Sequence, residues 1–206
     1  MQIEVASASK SFGSLLVFSD FSCRVEDRRV TALVGPSGSG KSTLLAAMAG
    51  FQQLDSGVII FRQDDQATPP LPDRVAWIPQ GANALGARTA LDNVMVSALA
   101  AGLGIEEARR MGEYQLDRVG LAGSRSTLAR HLSGGELQRV GFARALAAQK
   151  PIIFADEPTS SLDEANTELI ADLLHSLQDT ALILVATHDP VLVAAAQDVI
   201  NVRRPA

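Results

Sequence analysis

Residues 30–43 read VTALVGPSGSGKST, an apolar run followed at once by a glycine-rich stretch. The stretch fits every position of the P-loop pattern, in which glycines turn successive backbone N–H groups toward phosphate oxygens. In that pattern Lys41 neutralises the β and γ phosphates, and Ser42 ligates Mg²⁺. A buried strand before the loop and a helix after it are the expected context. The predicted nucleotide-binding residues are Gly35, Pro36, Ser37, Gly38, Ser39, Gly40, Lys41, Ser42 and Thr43.

A second apolar run ends in two acidic residues. Ile152-Ile-Phe-Ala155 leads directly into Asp156 and Glu157. Such a run places Asp156 at the carboxyl edge of a sheet, where a carboxylate organises Mg²⁺ beside a P-loop. The adjacent Glu157 is predicted to polarise a water molecule for in-line attack on the γ phosphate. Because two acids at a strand end are common, this catalytic interpretation depends on the P-loop.

Apolar runs and helical patterns together predict the fold. The runs at 30–34, 152–155 and 181–185 are nearly continuous in Val, Ile, Leu and Ala, which is typical of strands buried on both faces of a parallel sheet. Helical signals dominate the middle of the chain. We therefore expect a single α/β domain spanning 1–206, with a P-loop NTPase core and a mostly parallel sheet. We also expect an antiparallel β portion near the N-terminus and a helical subdomain inserted at about 84–143.

Charge and composition exclude several classes of protein. The chain has 206 residues, with 18 Lys+Arg against 23 Asp+Glu and a formal net charge of −5. This acidic balance, with only 4% aromatic residues, argues against nucleic acid as a partner. The single cysteine, Cys23, excludes a disulfide framework. The sequence has no run of about 18 apolar residues, so it predicts no membrane span. We expect a cytoplasmic globular protein.

Leu132-Ser133-Gly-Gly-Glu136 contains a second possible anion site. Ser133 and Glu136 have the spacing of a capping box, which predicts the start of a helix. Gly134 and Gly135 open the first turn of that helix to the close approach of an anion. A well-capped helix without any ligand explains the same residues and is favoured by the physics of capping alone. The residue chemistry leaves both interpretations open.

The order of these motifs resembles that of ATP-binding cassette (ABC) ATPase subunits. After the P-loop come Leu132-Ser-Gly-Gly-Glu136, Asp156-Glu157, Ser161-Leu-Asp163 and His188. The stretch at 132–136 is similar to the family's signature motif, which generic P-loop kinases and GTPases lack. The resemblance implies ATP and Mg²⁺ as cofactors and a head-to-tail pair of cassettes, each completing the other's ATP site. The residues implied to contact ATP held by the other copy are Ser133, Gly134, Gly135 and Glu136.

Four further positions take their roles from the resemblance alone. Gln80 is similar to the Q-loop glutamine, a contact for Mg²⁺ and water, and His188 is similar to the switch histidine at the γ phosphate. Asp163 resembles the D-loop acid at the dimer interface, although an ordinary helix cap explains it as well. Phe12 resembles the aromatic residue that stacks on adenine, with a core phenylalanine as the competing interpretation. The predicted catalytic residues are then Lys41, Glu157 and His188, and the predicted metal ligands are Ser42, Gln80 and Asp156.

The resemblance also implies a membrane partner. ABC subunits of this kind pair with a second copy or a homologous ATPase and drive a separate transmembrane permease at the inner face of the cell membrane. Residues 81–87, which face the permease in the family, lack bulky side chains here apart from Leu85. The segment from Thr89 to Val94 resembles the lipoprotein, macrolide and cell-division branch. Arg203 and Arg204 are expected to form a surface tail.

Three other functions fit parts of the pattern. A small-molecule P-loop kinase would leave the signature stretch and His188 unexplained. An ABC ATPase acting on DNA or ribosomes would carry a long coiled coil or a second cassette, and neither is visible in the sequence. A regulator that uses ATP to signal without moving solute would need the same motifs as a transporter subunit.

Overall fold

A computed structural model describes residues 1–81 and 83–203 of the chain. The predictions that involve Ala82, within residues 81–87, and Arg204 fall outside these residues. The strands in the described residues are β1 Gln2–Phe12, β2 Leu15–Glu26, β3 Val30–Val34, β4 Ser56–Gln63, β5 Gln66–Thr68, β6 Val75–Ile78, β7 Ile152–Asp156, β8 Leu182–Ala186 and β9 Asp198–Asn201. The α-helices are α1 Lys41–Met48, α2 Ala90–Ala100, α3 Ile105–Arg118, α4 Gly134–Ala147, α5 Glu164–Leu177 and α6 Pro190–Ala195.

The larger sheet is parallel and has the strand order β6-β7-β8-β3-β9. Every residue of β7 and β8 is buried, which is the two-sided burial that their continuous apolar runs predict. The predicted parallel sheet is therefore confirmed. Strand β3, which leads into the P-loop, lies between β8 and β9. Because the strands are parallel, their carboxyl ends meet at one edge of the sheet.

The smaller sheet is antiparallel, with the strand order β2-β1-β4-β5. It confirms the antiparallel portion near the N-terminus, although β1 has no continuous apolar run and β2 has one only at residues 15–18. In β1 the buried residues Ile3 and Val5 are followed by Ala8 and Lys10, so the alternation skips one position. The skip lies at Ser7, which has a left-handed φ of 49° where the pairing with β2 shifts register. This bulge interrupts the period of two by which a strand is recognised.

Apolar cores cover both faces of the parallel sheet. One core packs the sheet against helices α2 to α6, and it includes Val94, Phe142 and Ile153. The other packs α1 and the antiparallel sheet against the opposite face, and it includes Leu44 and Phe154. Strand β3, before the P-loop, and helix α1, after it, are both packed into this core, so both ends of the loop are fixed. Within the described residues, no helix has the length and apolarity needed to cross a membrane.

Helix starts follow the capping residues in the sequence. Thr89, Asp163 and Asp189 accept hydrogen bonds from backbone N–H groups in the first turns of α2, α5 and α6. These bonds satisfy donors that a helix start otherwise leaves without a partner. Gly50 follows the end of α1 with a φ of 80°, the left-handed conformation that stops a helix. The middle of the chain is helical, as expected, and helices α2 and α3 pack on α4.

Candidate functional site

The candidate site lies at the carboxyl edge of the parallel sheet. The P-loop follows β3, Gln80 follows β6, Asp156 ends β7 and His188 follows β8. Ligands of open α/β sheets bind at this edge. A cleft of about 400 Å³ opens there. Its lining residues are Phe12, Leu15, Leu16, Val17, residues 37–43, Gln80, Glu157 and His188.

The P-loop backbone depends on glycine at defined positions. Gly40 has a φ of 91°, and a Cβ atom added to it would lie 2.6 Å from Cγ1 of Val17. A Cβ atom on Gly35 would lie 2.3 Å from the carbonyl oxygen of Val202. Helix α1 begins at Lys41 with no side-chain cap and no acidic residue in its first turn. The start of α1 lines the cleft, where its first N–H groups and its positive dipole end favour the binding of an anion.

Lys41 lies folded over the P-loop. Its Nζ donates a hydrogen bond to the carbonyl oxygen of Gly35 at 2.9 Å and lies 3.6 Å from Oε1 of Glu157. The residue is only 7% exposed, so its charge is largely removed from water. A desolvated cation interacts strongly with a phosphate group that enters the cleft.

Ser42 and Asp156 are in direct contact. The Ser42 hydroxyl donates a hydrogen bond to Oδ1 of Asp156 at 2.9 Å. Burial raises the pKa of Asp156 and the Glu157 charge adds to the rise, whereas the Ser42 hydrogen bond and Lys41 oppose it. A hydroxyl and a carboxylate are the hard oxygen ligands that Mg²⁺ prefers, and it usually takes one or two carboxylates together with substrate phosphates. Within the described residues, no three His, Cys, Asp or Glu side chains are arranged to hold a metal ion by themselves. The Ser42–Asp156 pair is the kind of partial ligand set with which a nucleotide-bound Mg²⁺ is held.

Glu157 is held between the side chains of Lys41 and His188. Its Oε2 lies 2.8 Å from Nδ1 of His188, and its Oε1 faces Lys41. The residue is 9% exposed and has a left-handed φ of 44°, which is rare for residues other than glycine. Its backbone N–H donates to the carbonyl oxygen of Ala186 at 2.8 Å, which holds this conformation at the end of β8. The Glu157 carboxylate therefore lies in the cleft, whereas Asp156, the next residue back, bonds Ser42.

A hydrogen bond that the sequence did not predict connects the segments carrying Glu157 and His188. The Thr159 hydroxyl donates to Oδ2 of Asp189 at 2.9 Å, and the Asp189 N–H donates to the Thr187 hydroxyl at 3.0 Å. Asp189 also caps α6. From the sequence, Asp189 can be recognised as a helix cap but not as a partner of Thr159. Their contact arises because β7 and β8 are neighbouring strands.

The signature stretch forms the start of α4. Ser133 and Glu136 make the predicted capping box: the Ser133 hydroxyl accepts the Glu136 N–H at 3.3 Å, and the Ser133 N–H donates to Oε2 of Glu136 at 2.9 Å. Ser133 and Gly134 are exposed, and neither lines the cleft of this chain. Gly135 is close to the loop before α5, since an added Cβ atom would lie 3.1 Å from the carbonyl oxygen of Ser161. The predicted helix cap is thus observed. The same helix start is exposed and rich in glycine, so it can also approach an anion.

The structure also describes the surroundings of two further predicted residues, Phe12 and Asp163. Phe12 is 50% exposed and lines the cleft, so it is not a core phenylalanine. Leu15 and Leu16 line the cleft beside it, and sequence reasoning missed both because β2 carries no clear alternation of apolar and polar residues. Asp163 caps α5 by accepting the N–H of Asn166 at 2.9 Å. Its role as the cap of α5 is therefore observed. Its role at a dimer interface stays a prediction.

Comparison with known proteins places the chain among ATP-binding cassettes. Lipoprotein-releasing system ATP-binding protein LolD of Bacteroides fragilis (strain YCH46) is 36% identical, over 92% of this chain and 92% of its own length. Macrolide export ATP-binding/permease protein MacB of Neisseria meningitidis serogroup A is 35% identical over 98% of this chain. Methionine import ATP-binding protein MetN 2 of Lactiplantibacillus plantarum is 36% identical over 91% of this chain. The chain spans 33% of the length of that MacB and 58% of that MetN 2.

Solved structures give the same result for the fold. The ATP-binding cassette MJ0796, in a dimeric post-hydrolysis state bound to ADP and Pi, superposes with a TM-score of 0.87 and 26% identity. The superposition covers 99% of this chain and 97% of that one.

Residues 18–160 match the ABC transporter family. LolD and MacB agree with the expected lipoprotein and macrolide branch, while MetN 2 extends the likeness to an importer. The resemblance inferred from the motifs is confirmed: the chain belongs to the ABC transporter family, as one of its ATP-binding cassettes.

Proposed function

We propose that the chain is the ATP-hydrolysing subunit of an ABC transporter complex, in which two cassettes close around two ATP-Mg²⁺ and drive a separate membrane permease. The observation that carries the proposal is the position of Glu157, between Lys41 and His188 and beside the Ser42–Asp156 pair. A carboxylate, a lysine, a histidine and a metal-ligand pair are parts with which a site can carry out phosphoryl transfer to water.

Each group in the cleft has a defined task. The P-loop N–H groups and Lys41 bind the β and γ phosphates, and Lys41 exchanges its contact with Gly35 for the phosphate. Ser42, Asp156 and Gln80 hold Mg²⁺, which neutralises charge on the phosphates. His188 turns from Glu157 to the γ phosphate. Glu157 then accepts the proton of the attacking water.

The second cassette supplies what one chain lacks. Ser133, the N-cap of α4, and Gly134, Gly135 and Glu136 start a helix outside the cleft of their own chain, and an exposed helix start attracts anions. We propose that these residues bind the ATP of the partner copy and that Asp163 lies at the same interface. The helical subdomain at about 84–143 carries this helix start toward the partner.

A permease partner would also attach this chain to the membrane. The LolD and MetN 2 names describe ATP-binding proteins of a releasing system and an importer, and the MacB name joins an ATP-binding part and a permease. We therefore propose that this chain lies at the cytoplasmic face of the membrane and is held there by a permease. Isolation of the complex from solubilised membranes would identify that permease.

The general-base assignment is tested with Glu157→Gln. This variant should bind ATP normally, lose about 100-fold or more of its ATPase rate and accumulate as an ATP-bound dimer. Glu168→Gln, a change at an exposed acid on α5, is the matched control and should behave as the unmodified chain. Normal turnover by Glu157→Gln would refute the assignment.

The in-trans role of the signature stretch needs a separate variant. Ser133→Arg should abolish turnover and ATP-dependent dimerisation, while the monomer keeps its affinity for ATP. Size-exclusion chromatography with light scattering measures the dimer, and calorimetry measures ATP binding. Loss of ATP affinity in the monomer would contradict the in-trans role.

A further inference from the structure

Asp55 is bonded to three successive residues of β1. Its Oδ1 accepts a hydrogen bond from Nζ of Lys10 at 2.9 Å, and its Oδ2 accepts one from the N–H of Ser11 at 2.6 Å. Its own N–H donates to the carbonyl oxygen of Ser9 at 2.9 Å. One residue from the loop before β4 thus fixes the segment that ends at Phe12.

Lys10 continues this set of contacts to Phe12 itself. Its Nζ lies 5.2 Å from the centroid of the Phe12 ring, within the range of a cation–π interaction. Lys10 is only 9% exposed, so its ammonium group has little freedom to move away from the ring. The hydrogen bonds from Lys10 and Ser11 lower the pKa of Asp55.

The position of Phe12 needs such support. Phe12 is the last residue of β1, pairs with Leu15 across the short turn at Gly13 and is half exposed. The pairing of β1 with β2 is irregular on both sides of Lys10. Regular strand pairing therefore fixes the ring poorly, and the contacts of Lys10 and Asp55 supply the missing restraint.

We propose that Lys10 and Asp55 are positioning residues that hold the Phe12 ring as a platform for the base of the bound nucleotide. The inference rests on the proposed function, ATP binding in this cleft, and on the expectation that Phe12 is the aromatic residue that stacks on adenine. A platform that is already ordered loses less conformational entropy when the base binds. The contacts of Lys10 and Asp55 should therefore matter for ligands that carry a base and not for a base-free triphosphate.

Calorimetry with two ligands tests the proposal: MgATP, and magnesium tripolyphosphate, which has the phosphates without the base. Phe12→Ala should weaken ATP binding about tenfold, as expected for the loss of a base–aromatic stack, and leave tripolyphosphate binding unchanged. Lys10→Met should weaken ATP binding about threefold to fivefold, again with no change for tripolyphosphate. Lys10→Arg, which keeps the cation, should restore most of the ATP affinity. Lys150→Met, a change on the wall of a different cavity, is the matched control.

A double variant separates positioning from independent effects. In the Phe12→Ala background, Lys10→Met should cause no further loss of ATP affinity, because Lys10 acts through the ring. Asp55→Asn should repeat the selective loss of ATP affinity, and it serves as the second probe if Lys10→Met folds poorly.

Three outcomes would overturn the proposal. Normal ATP affinity in both Lys10→Met and Asp55→Asn, with a loss in Phe12→Ala, would leave the stacking role of Phe12 intact and remove the roles of Lys10 and Asp55. Equal losses for ATP and tripolyphosphate in the Lys10 and Asp55 variants would indicate a structural defect only. No effect of Phe12→Ala would refute the stacking role of Phe12, and the platform with it, while ATP binding at the P-loop would stand.

Discussion

Thr159→Val should remove one partly buried hydrogen bond with little change in side-chain shape. The Thr159 hydroxyl donates to Oδ2 of Asp189 at 2.9 Å, and Thr159 is 4% exposed. A hydrogen bond to a charged acceptor contributes about 1.5–3 kcal/mol, and a partly buried acceptor left without its donor is not fully rehydrated. Asp189 keeps its second contact, from the N–H of Val191 to Oδ1 at 2.9 Å. We therefore expect the free energy of unfolding to fall by about 2 kcal/mol.

Denaturant and thermal unfolding measure this loss. For a chain of this length, about 2 kcal/mol corresponds to a decrease of about 4–8 °C in Tm. Thr180→Val is the matched control, because its exposed hydroxyl also donates one hydrogen bond, to the carbonyl oxygen of Leu177 at 3.0 Å. That variant should change stability by less than about 0.5 kcal/mol. Equal stability of the two variants would refute the reasoning.

The same bond should also affect catalysis. It connects the segment after Glu157 with the segment after His188, so its loss allows the two side chains to move relative to each other. Thr159→Val should lower kcat for ATP hydrolysis while KM for ATP stays within about twofold of the unmodified value. A rise in KM with kcat unchanged would instead assign Thr159 a role in binding.

Three further predictions concern single positions. Gly40→Ala adds a Cβ atom 2.6 Å from Cγ1 of Val17 at a φ of 91°, so it should weaken ATP binding about tenfold or more by calorimetry. The pKa of Glu136 is lowered, chiefly by the hydrogen bond from the Ser133 N–H, so its contribution to stability is complete above its ordinary pKa of 4.5 and is lost as the pH falls through the lower folded value. The difference in unfolding free energy between the unmodified chain and Glu136→Gln should therefore shrink in acid. Burial raises the pKa of Cys23 to about 12, so a thiol-reactive disulfide reagent at pH 8 should react slowly with the folded chain and rapidly in denaturant.

The sequence predicted the parts of the site that follow strands with continuous apolar runs. The P-loop, Asp156 and His188 each come after such a run, and parallel pairing brings their strands side by side. The start of α4 was equally clear, because the Ser133–Glu136 spacing is a local signal that needs no tertiary contact.

Contacts between distant segments were not predictable. The pairs Lys10–Asp55 and Thr159–Asp189 depend on strand pairing and have no characteristic spacing in the sequence. The bulge at Ser7 likewise interrupted the pattern of β1. In each case tertiary structure, and not local propensity, determines the geometry.

The place of β3 between β8 and β9 has a consequence for how the chain folds during its synthesis. The glycine-rich loop leaves the ribosome early, yet β3 is flanked by two strands that are made much later. Gly35 also packs against the Val202 carbonyl, and the Val202 N–H bonds the carbonyl oxygen of Val34 at 2.7 Å. A nascent chain that stops before β8 has the phosphate loop without its neighbouring strands, and such non-local contacts form late. ATP therefore cannot stabilise early intermediates by binding at a finished site, and its effect on folding should appear only once nearly the whole cassette has been translated.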